Sequence, residues 1–289
     1  MNNFIKKHSN HFNINTFIKN AFIEDVGKGD FTSLSTIPKN KTGKMKLLVK
    51  ENGIIAGVEA AYLILKVADK NIKLTKFIND GAFVKKGDIV FIAEGNLQKL
   101  LVAERLLLNI MQRMSGIATK TNFLQSLCKG TNAKVIDTRK TTPGFRFFEK
   151  WAVIIGGGAN HRYGLYDMIL IKDNHIDFAG GITQAIDAAN NYIKKNKLKI
   201  PIEVETRSIN DVKKVLAHGK VNRIMLDNYS TTDTKKAVAL IKQKFEVESS
   251  GGINETTIAS YAKCGVDFIS IGALTHQIKS LDLSFKAIG

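Results

Sequence analysis

Residues 200–228, IPIEVETRSINDVKKVLAHGKVNRIMLDN, read as one strand, one helix and a second strand. IPIEVET and RIMLDN are short apolar runs bounded by turn residues, as expected of strands buried in a parallel sheet. SINDVKKVLAHG between them is about one helix long, with Ser208 placed to cap its start and Gly219 to stop it. The alternation continues in both directions. Upstream lie AKVIDTR (133–139) and DMILIKD (167–173), and downstream FEVESSG (245–251) and DFISIGAL (267–274). Helical stretches TQAIDAANNYIKKN, TDTKKAVALIKQK and NETTIASYAKCG separate most of them, the last with Asn254 as expected N-cap and Gly265 as stop. Repeated βα units imply a barrel or an open doubly wound sheet. The Gly156–Gly157–Gly158 run lacks the GxGxxG spacing of a dinucleotide-binding sheet, which leaves the barrel as the preferred reading.

Charged and glycine residues gather at one end of these strands. Arg139 and Lys140 end the first, Lys172 the second, Glu205 the third and Asp227 the fourth; Ser250, Gly251 and Gly252 end the fifth and Gly272 the sixth. In a parallel barrel those ends share one rim, where active sites are built. Arginine is scarce: seven of 43 basic residues, three of them within Val135–Ile176 (Arg139, Arg146 and Arg162). A guanidinium grips carboxylate or phosphate at two points, which a lysine ammonium cannot do. With His161, the group reads as a pocket for a small polyanion. Salt bridges to Asp137, Asp167, Asp173 or Glu149 are the structural alternative for any one of these cations.

Glu205 and Asp227 are the acids expected at the mouth. They suit Mg²⁺, directly or through water, or positive charge developing on a sugar ring, and so fit transfer from a pyrophosphate-activated ribose. Glu203 points to the same side of its strand as Glu205, which is preferred as nearer the strand end. ESSGGI and IGALTH offer backbone amides at two strand ends, a pattern that holds phosphate in many barrels.

The first hundred or so residues differ. KMKLLVKENGIIAG and KLTKFINDGAFVKKGDIVFIAEG, punctuated by glycines, read as hairpins of an antiparallel sheet. In the following helix, Ala103, Leu106, Leu107, Ile110, Met111 and Met114 recur at core spacing, with Arg105, Asn109 and Gln112 on another face.

The chain has 289 residues and a net charge of +17, with lysines scattered over helix faces and no basic tail or aromatic interleaving. That favours an anionic substrate over nucleic acid, though a nucleic-acid-binding protein on a barrel scaffold is the alternative from another class. Cys128 and Cys264 lack metal or disulfide spacing, and no run is long and apolar enough for a membrane span. A cytoplasmic protein is expected.

The ordered blocks EDVGKGDFTS, AERLLLNIMQRMSGIAT, DTRKTTPGFRFFEKWAV, GGGANHRYGLYDMILIKDNHI, IEVE, IMLDN, ESSGGI and VDFISIGALTH cover most of the chain. They resemble the quinolinate phosphoribosyltransferase family. Thr206 and Arg207 depart from its more usual apolar or acidic continuation after IEVE. The resemblance implies an N-terminal α/β sandwich over 1–113, joined by 276–289, and an incomplete α/β barrel over 114–275. It implies transfer of phosphoribosyl from phosphoribosyl pyrophosphate (PRPP) to quinolinate with decarboxylation, in NAD biosynthesis. Relatives with another acceptor, such as nicotinate, are the near alternative. By the same resemblance Arg139, Arg162, Lys172, His161 and Thr138, with Arg105 from a partner subunit of a homodimer, surround the quinolinate carboxylates. Lys140, Glu205 and Asp227 place PRPP and Mg²⁺, with Lys140, Lys172, Glu205 and Asp227 counted as the catalytic groups. Ser250, Gly251, Gly252, Gly272 and His276 cradle the 5-phosphate.

Overall fold

The structure is a computed structural model and describes residues 3–288. In chain order its elements begin with helices α1 (Asn3–His8), α2 (Ile14–Val26) and α3 (Phe31–Thr36), then strands β1 (Thr42–Val49) and β2 (Gly53–Ile54) and helix α4 (Val58–Ala68). Next come β3 (Lys73–Lys76), β4 (Phe83–Val84), β5 (Ile89–Asn96), the long helix α5 (Leu97–Leu127), β6 (Lys134–Ile136), α6 (Arg146–Ile155) and β7 (Ile169–Ile171). Then follow α7 (Asp173–Ala179), α8 (Ile182–Asn196), β8 (Ile202–Thr206), α9 (Ile209–His218), β9 (Arg223–Asp227), α10 (Thr231–Ile241) and β10 (Glu246–Ser250). The chain finishes with α11 (Ile258–Ala262), β11 (Phe268–Ser270), α12 (Ala273–His276) and β12 (Leu283–Ile288).

These elements form two compact units. One comprises the chain up to Asn122, Thr142–Gly157 and the chain from Gln277. Its sheet runs β12-β1-β5-β3 with all pairs antiparallel. Strand β1 buries Met45, Leu47 and Val49 on alternate positions, as a sheet with one covered face requires. Of the expected hairpins only the second forms, its two ends β3 and β5 pairing antiparallel as sheet neighbours. β1 pairs with β5 across α4 and three other strands, and β2 pairs with β4 in a separate two-stranded ladder. Glycine-punctuated runs resemble hairpins locally, but pairing is decided by which apolar faces meet. Helix α5 buries Ala103, Leu107, Ile110, Met111 and Met114, with Leu106 half-buried and Arg105 and Asn109 exposed. Gln112, read as sharing that outer face, instead donates to the Leu283 carbonyl. Residues 142–157 lie inside the range read as barrel, yet they pack in this unit because of the aromatic face of α6. Phe147 stacks 4.5 Å from Phe12 and lies 5.3 Å from Phe4 and 5.8 Å from Trp151.

The other unit comprises Phe123–Thr141 and Gly158–His276. Its six strands, each from one of the six apolar runs, form a parallel sheet in the order β6-β11-β10-β9-β8-β7. This is the incomplete α/β barrel. Ser208 caps α9 by accepting from the Asp211 amide, and Gly219 closes it in the left-handed region at φ 79°. Asn254 does not cap a helix: α11 starts later, after Thr257, and the Asn254 side chain accepts from the amide of Thr256 in a turn. Among the described residues, no helix is long and apolar enough to cross a membrane.

Candidate functional site

Because all six strands run the same way, their C-terminal ends lie along one edge of the sheet. Lys172 directly follows β7 at the N-cap position of α7, Glu205 and Asp227 are in the last two residues of β8 and β9, Ser250 ends β10, and Gly272 lies two residues beyond β11. Arg139 and Lys140 follow β6 and are exposed. Thr138 accepts the Lys140 amide through its hydroxyl at 3.0 Å, which turns the chain there.

The cations crowd. Arg162 is half-buried; burial lowers its guanidinium from the ordinary value, and the charge of Arg139 lowers it further, against raising by Glu203 and Asp167. Its Nη1 donates to the Met168 carbonyl at 3.2 Å. The acids offered as structural partners are largely occupied elsewhere. Asp137 accepts from the Asn160 side chain and the His161 amide, Asp167 accepts from the amides of Tyr163 and Gly164, and Glu149 binds Arg113 in the other unit. Arg105 and Arg146 also belong to that unit.

Glu205 is buried, and burial raises its carboxyl above the ordinary range, with the charge of Asp227 adding to the rise. Lys172 Nζ, 3.9 Å away, opposes this. Two hard carboxylate donors whose charges disfavour one another fit a divalent cation such as Mg²⁺. The Thr206–Arg207 departure does not disturb this strand end. Buried Thr206 donates to the Met225 carbonyl and accepts from Tyr229, while Arg207 pairs with Asp177 of α7.

The glycine ends of β10 and β11 differ in the space beside them. Gly251 sits at φ 95° with Asn228 packed where its Cβ would go, whereas Gly252 faces open space. At Gly272 a Cβ would lie 3.0 Å from His276 Nε2 and 3.2 Å from Lys140 Cδ, so these three residues are neighbours. Thr275 Oγ1 donates to the Lys140 carbonyl at 2.7 Å. The helices that follow, α11 and α12, have only five and four residues. Any phosphate there would therefore meet backbone amides and side chains, not a helix dipole.

His161 is the residue whose setting differs most from expectation. It is buried; Nδ1 accepts the Arg162 amide at 2.7 Å, and Nε2 lies 2.9 Å from Glu203 and 3.5 Å from Glu248. Glu203 and Glu248 are wholly buried. Burial raises the Glu203 carboxyl, and Glu248 is raised to about 8 by burial first and by Glu203 second. Arg223 reaches Glu248 at 3.2 Å and stacks over Phe268. Glu248 was not singled out from the sequence. Its signal was register: Glu248 precedes Ser250 as Glu203 precedes Glu205, each two residues before a rim residue on the same face of its strand.

The family description "Quinolinate phosphoribosyl transferase, C-terminal domain" matches residues 117–286, and its N-terminal counterpart matches 30–115. The chain is similar to the chloroplastic nicotinate-nucleotide pyrophosphorylase [carboxylating] of Arabidopsis thaliana, 44% identical over 290 residues, covering 95% of this chain and 83% of that protein. It is similar to the mitochondrial quinolinate phosphoribosyltransferase [decarboxylating] 2b of Nicotiana tabacum, at 42% over 290 residues, 95% of this chain and 82% of that one. The crystal structure of NadC from Streptococcus pyogenes superposes with a TM-score of 0.90 at 36% identity, covering 96% of this chain and 97% of that one.

Proposed function

The chain belongs to the quinolinate phosphoribosyltransferase family, and from that premise we propose that it makes nicotinate mononucleotide from quinolinate and PRPP. The quinolinate ring nitrogen bonds to C1 of the ribose as the bond from C1 to pyrophosphate breaks. The quaternised ring then accepts the electron pair left when the 2-carboxylate departs as CO₂, and the ring carbon takes a proton from water. The labels "carboxylating" and "decarboxylating" on the relatives name this one conversion from its two sides.

The observation that carries the reading is the burial of Arg162 beside Arg139, a like-charge pair whose repulsion a dianionic ligand would offset. Arg139 and Arg162, with Lys172 and Thr138, hold the two quinolinate carboxylates. Lys140 meets the pyrophosphate, and Ser250, Gly251, Gly252, Gly272 and His276 hold the 5-phosphate. Glu205 and Asp227 would hold Mg²⁺, which when bound neutralises charge on the leaving pyrophosphate. No side chain acts as a strong base; proximity and fixed charge supply the rate. The protein works as a homodimer in the cytoplasm, with Arg105, exposed on α5, completing the partner's site.

The test is a panel of acceptors with PRPP. Quinolinate should give nucleotide far faster than nicotinate or nicotinamide. Preference for a monocarboxylate would overturn the assignment of two carboxylate-binding arginines.

A further inference from the structure

The buried cluster beneath the rim brings ligand atoms of His161, Glu203 and Glu248 within 4.8 Å of one another, the spacing of a metal site. The tautomer of His161 argues otherwise. Its Nδ1 accepts the Arg162 amide at 2.7 Å and so carries a lone pair, not a proton. The proton of the neutral ring therefore sits on Nε2, the atom facing Glu203 at 2.9 Å. A cation among these residues would need the lone pair that this proton occupies.

The same geometry bears on substrate recognition. Both ring nitrogens of His161 face protein atoms, and the ring is buried, so neither is presented to a carboxylate at the strand ends. What His161 does hold is the backbone of the next residue. Asp137, itself fully buried, fixes the other side by accepting the His161 amide at 3.0 Å. Arg162 thus leaves a peptide pinned at two consecutive amides, with its Nη1 on the Met168 carbonyl. Groups facing the ring come from β8 (Glu203) and β10 (Glu248), with Arg223 of β9 on Glu248.

Resting on the proposed function, we propose that His161 is a positioning residue: as a neutral Nε2–H imidazole it aims the Arg162 guanidinium at the acceptor's carboxylate and does not touch the substrate. A side chain that holds its Cα–Cβ–Cγ geometry and an acceptor at the Nδ1 position should therefore do most of its work. His161→Asn puts an amide oxygen there; His161→Gln keeps a donor toward Glu203 but loses that acceptor.

The experiment is steady-state quinolinate kinetics of both variants, alone and combined with Arg162→Lys, with melting curves to establish folding. His161→Gln should raise the quinolinate KM about tenfold, the upper scale of one lost neutral hydrogen bond, with kcat moved less. His161→Asn should recover most of that loss. On the Arg162→Lys background neither should raise KM further, because the two residues act as one unit. Equal impairment by Asn and Gln, with losses that multiply on the Arg162→Lys background, would overturn the proposal by showing that the ring itself meets the ligand. If one variant fails to fold, the other carries the same comparison with Arg162→Lys.

A second readout does not depend on activity. In ¹⁵N-histidine spectra of the whole protein at neutral pH, His161 should be a neutral ring protonated on Nε2, assigned by its loss in His161→Asn. A Nδ1–H tautomer or an imidazolium would overturn the proposal. If the parent turns over no quinolinate while this signature holds, the functional reading fails and the local geometry stands.

Discussion

Burial disfavours the charge on Arg162, and repulsion from Arg139 adds to it. Arg139→Lys keeps the charge and removes the two-point grip. It should lower kcat/KM for quinolinate by about ten- to a hundredfold, the scale of a charged hydrogen bond, with the PRPP KM little changed. Unchanged steady-state kinetics would contradict the two-point grip. Glu205 makes a parallel case, raised by burial and by Asp227. Mg²⁺ should raise the melting temperature of the parent by mass action, and Glu205→Gln combined with Asp227→Asn should abolish that rise. An undiminished rise in the double variant would place the cation elsewhere. Arg139, Glu205 and Asp227 were legible as rim residues in the sequence because each stands at the end of an apolar run. The inward setting of Glu203 and Glu248 was not, since a charged side chain alternating along a strand looks alike whether it faces water or the sheet interior.

At the scale of elements, β8 and β10 each turn a glutamate into the sheet interior. Glu248, raised to about 8, binds its proton more tightly in the folded chain than unfolded. The stability it contributes is present in acid and lost as pH rises from the ordinary carboxylate range through about 8. The parent should therefore lose more stability than Glu248→Gln between about pH 5 and about pH 9, with the variant the more stable at the alkaline end. Denaturant midpoints across that range measure it, and parallel pH profiles would contradict it. The six parallel strands and their helices were legible because each unit carries its own pattern and caps, such as Ser208 and Gly219. The pairings of β1 in the antiparallel sheet were not, because it meets β5 and β12 across long stretches of chain. Nor was the cap of α4: Asp80, 22 residues from Val58, accepts the amides of Val58 and Glu59.

For the whole molecule, exposed Arg105 on α5 belongs to the proposed dimer. Arg105→Ala and Arg139→Lys should each be impaired, and subunit exchange between them should restore activity to about a quarter of the sites, as random pairing in a twofold dimer requires. No gain on mixing, where exchange is demonstrated, would mean that Arg105 serves its own subunit or none. The central claim is that one cationic strand-end rim brings two polyanions together and that ribosylation triggers loss of a carboxylate. Its most direct measurement is CO₂ release from quinolinate labelled at the 2-carboxylate. The account predicts one labelled CO₂ per pyrophosphate and none without PRPP. Nucleotide formed with the label retained, or CO₂ released without PRPP, would contradict it.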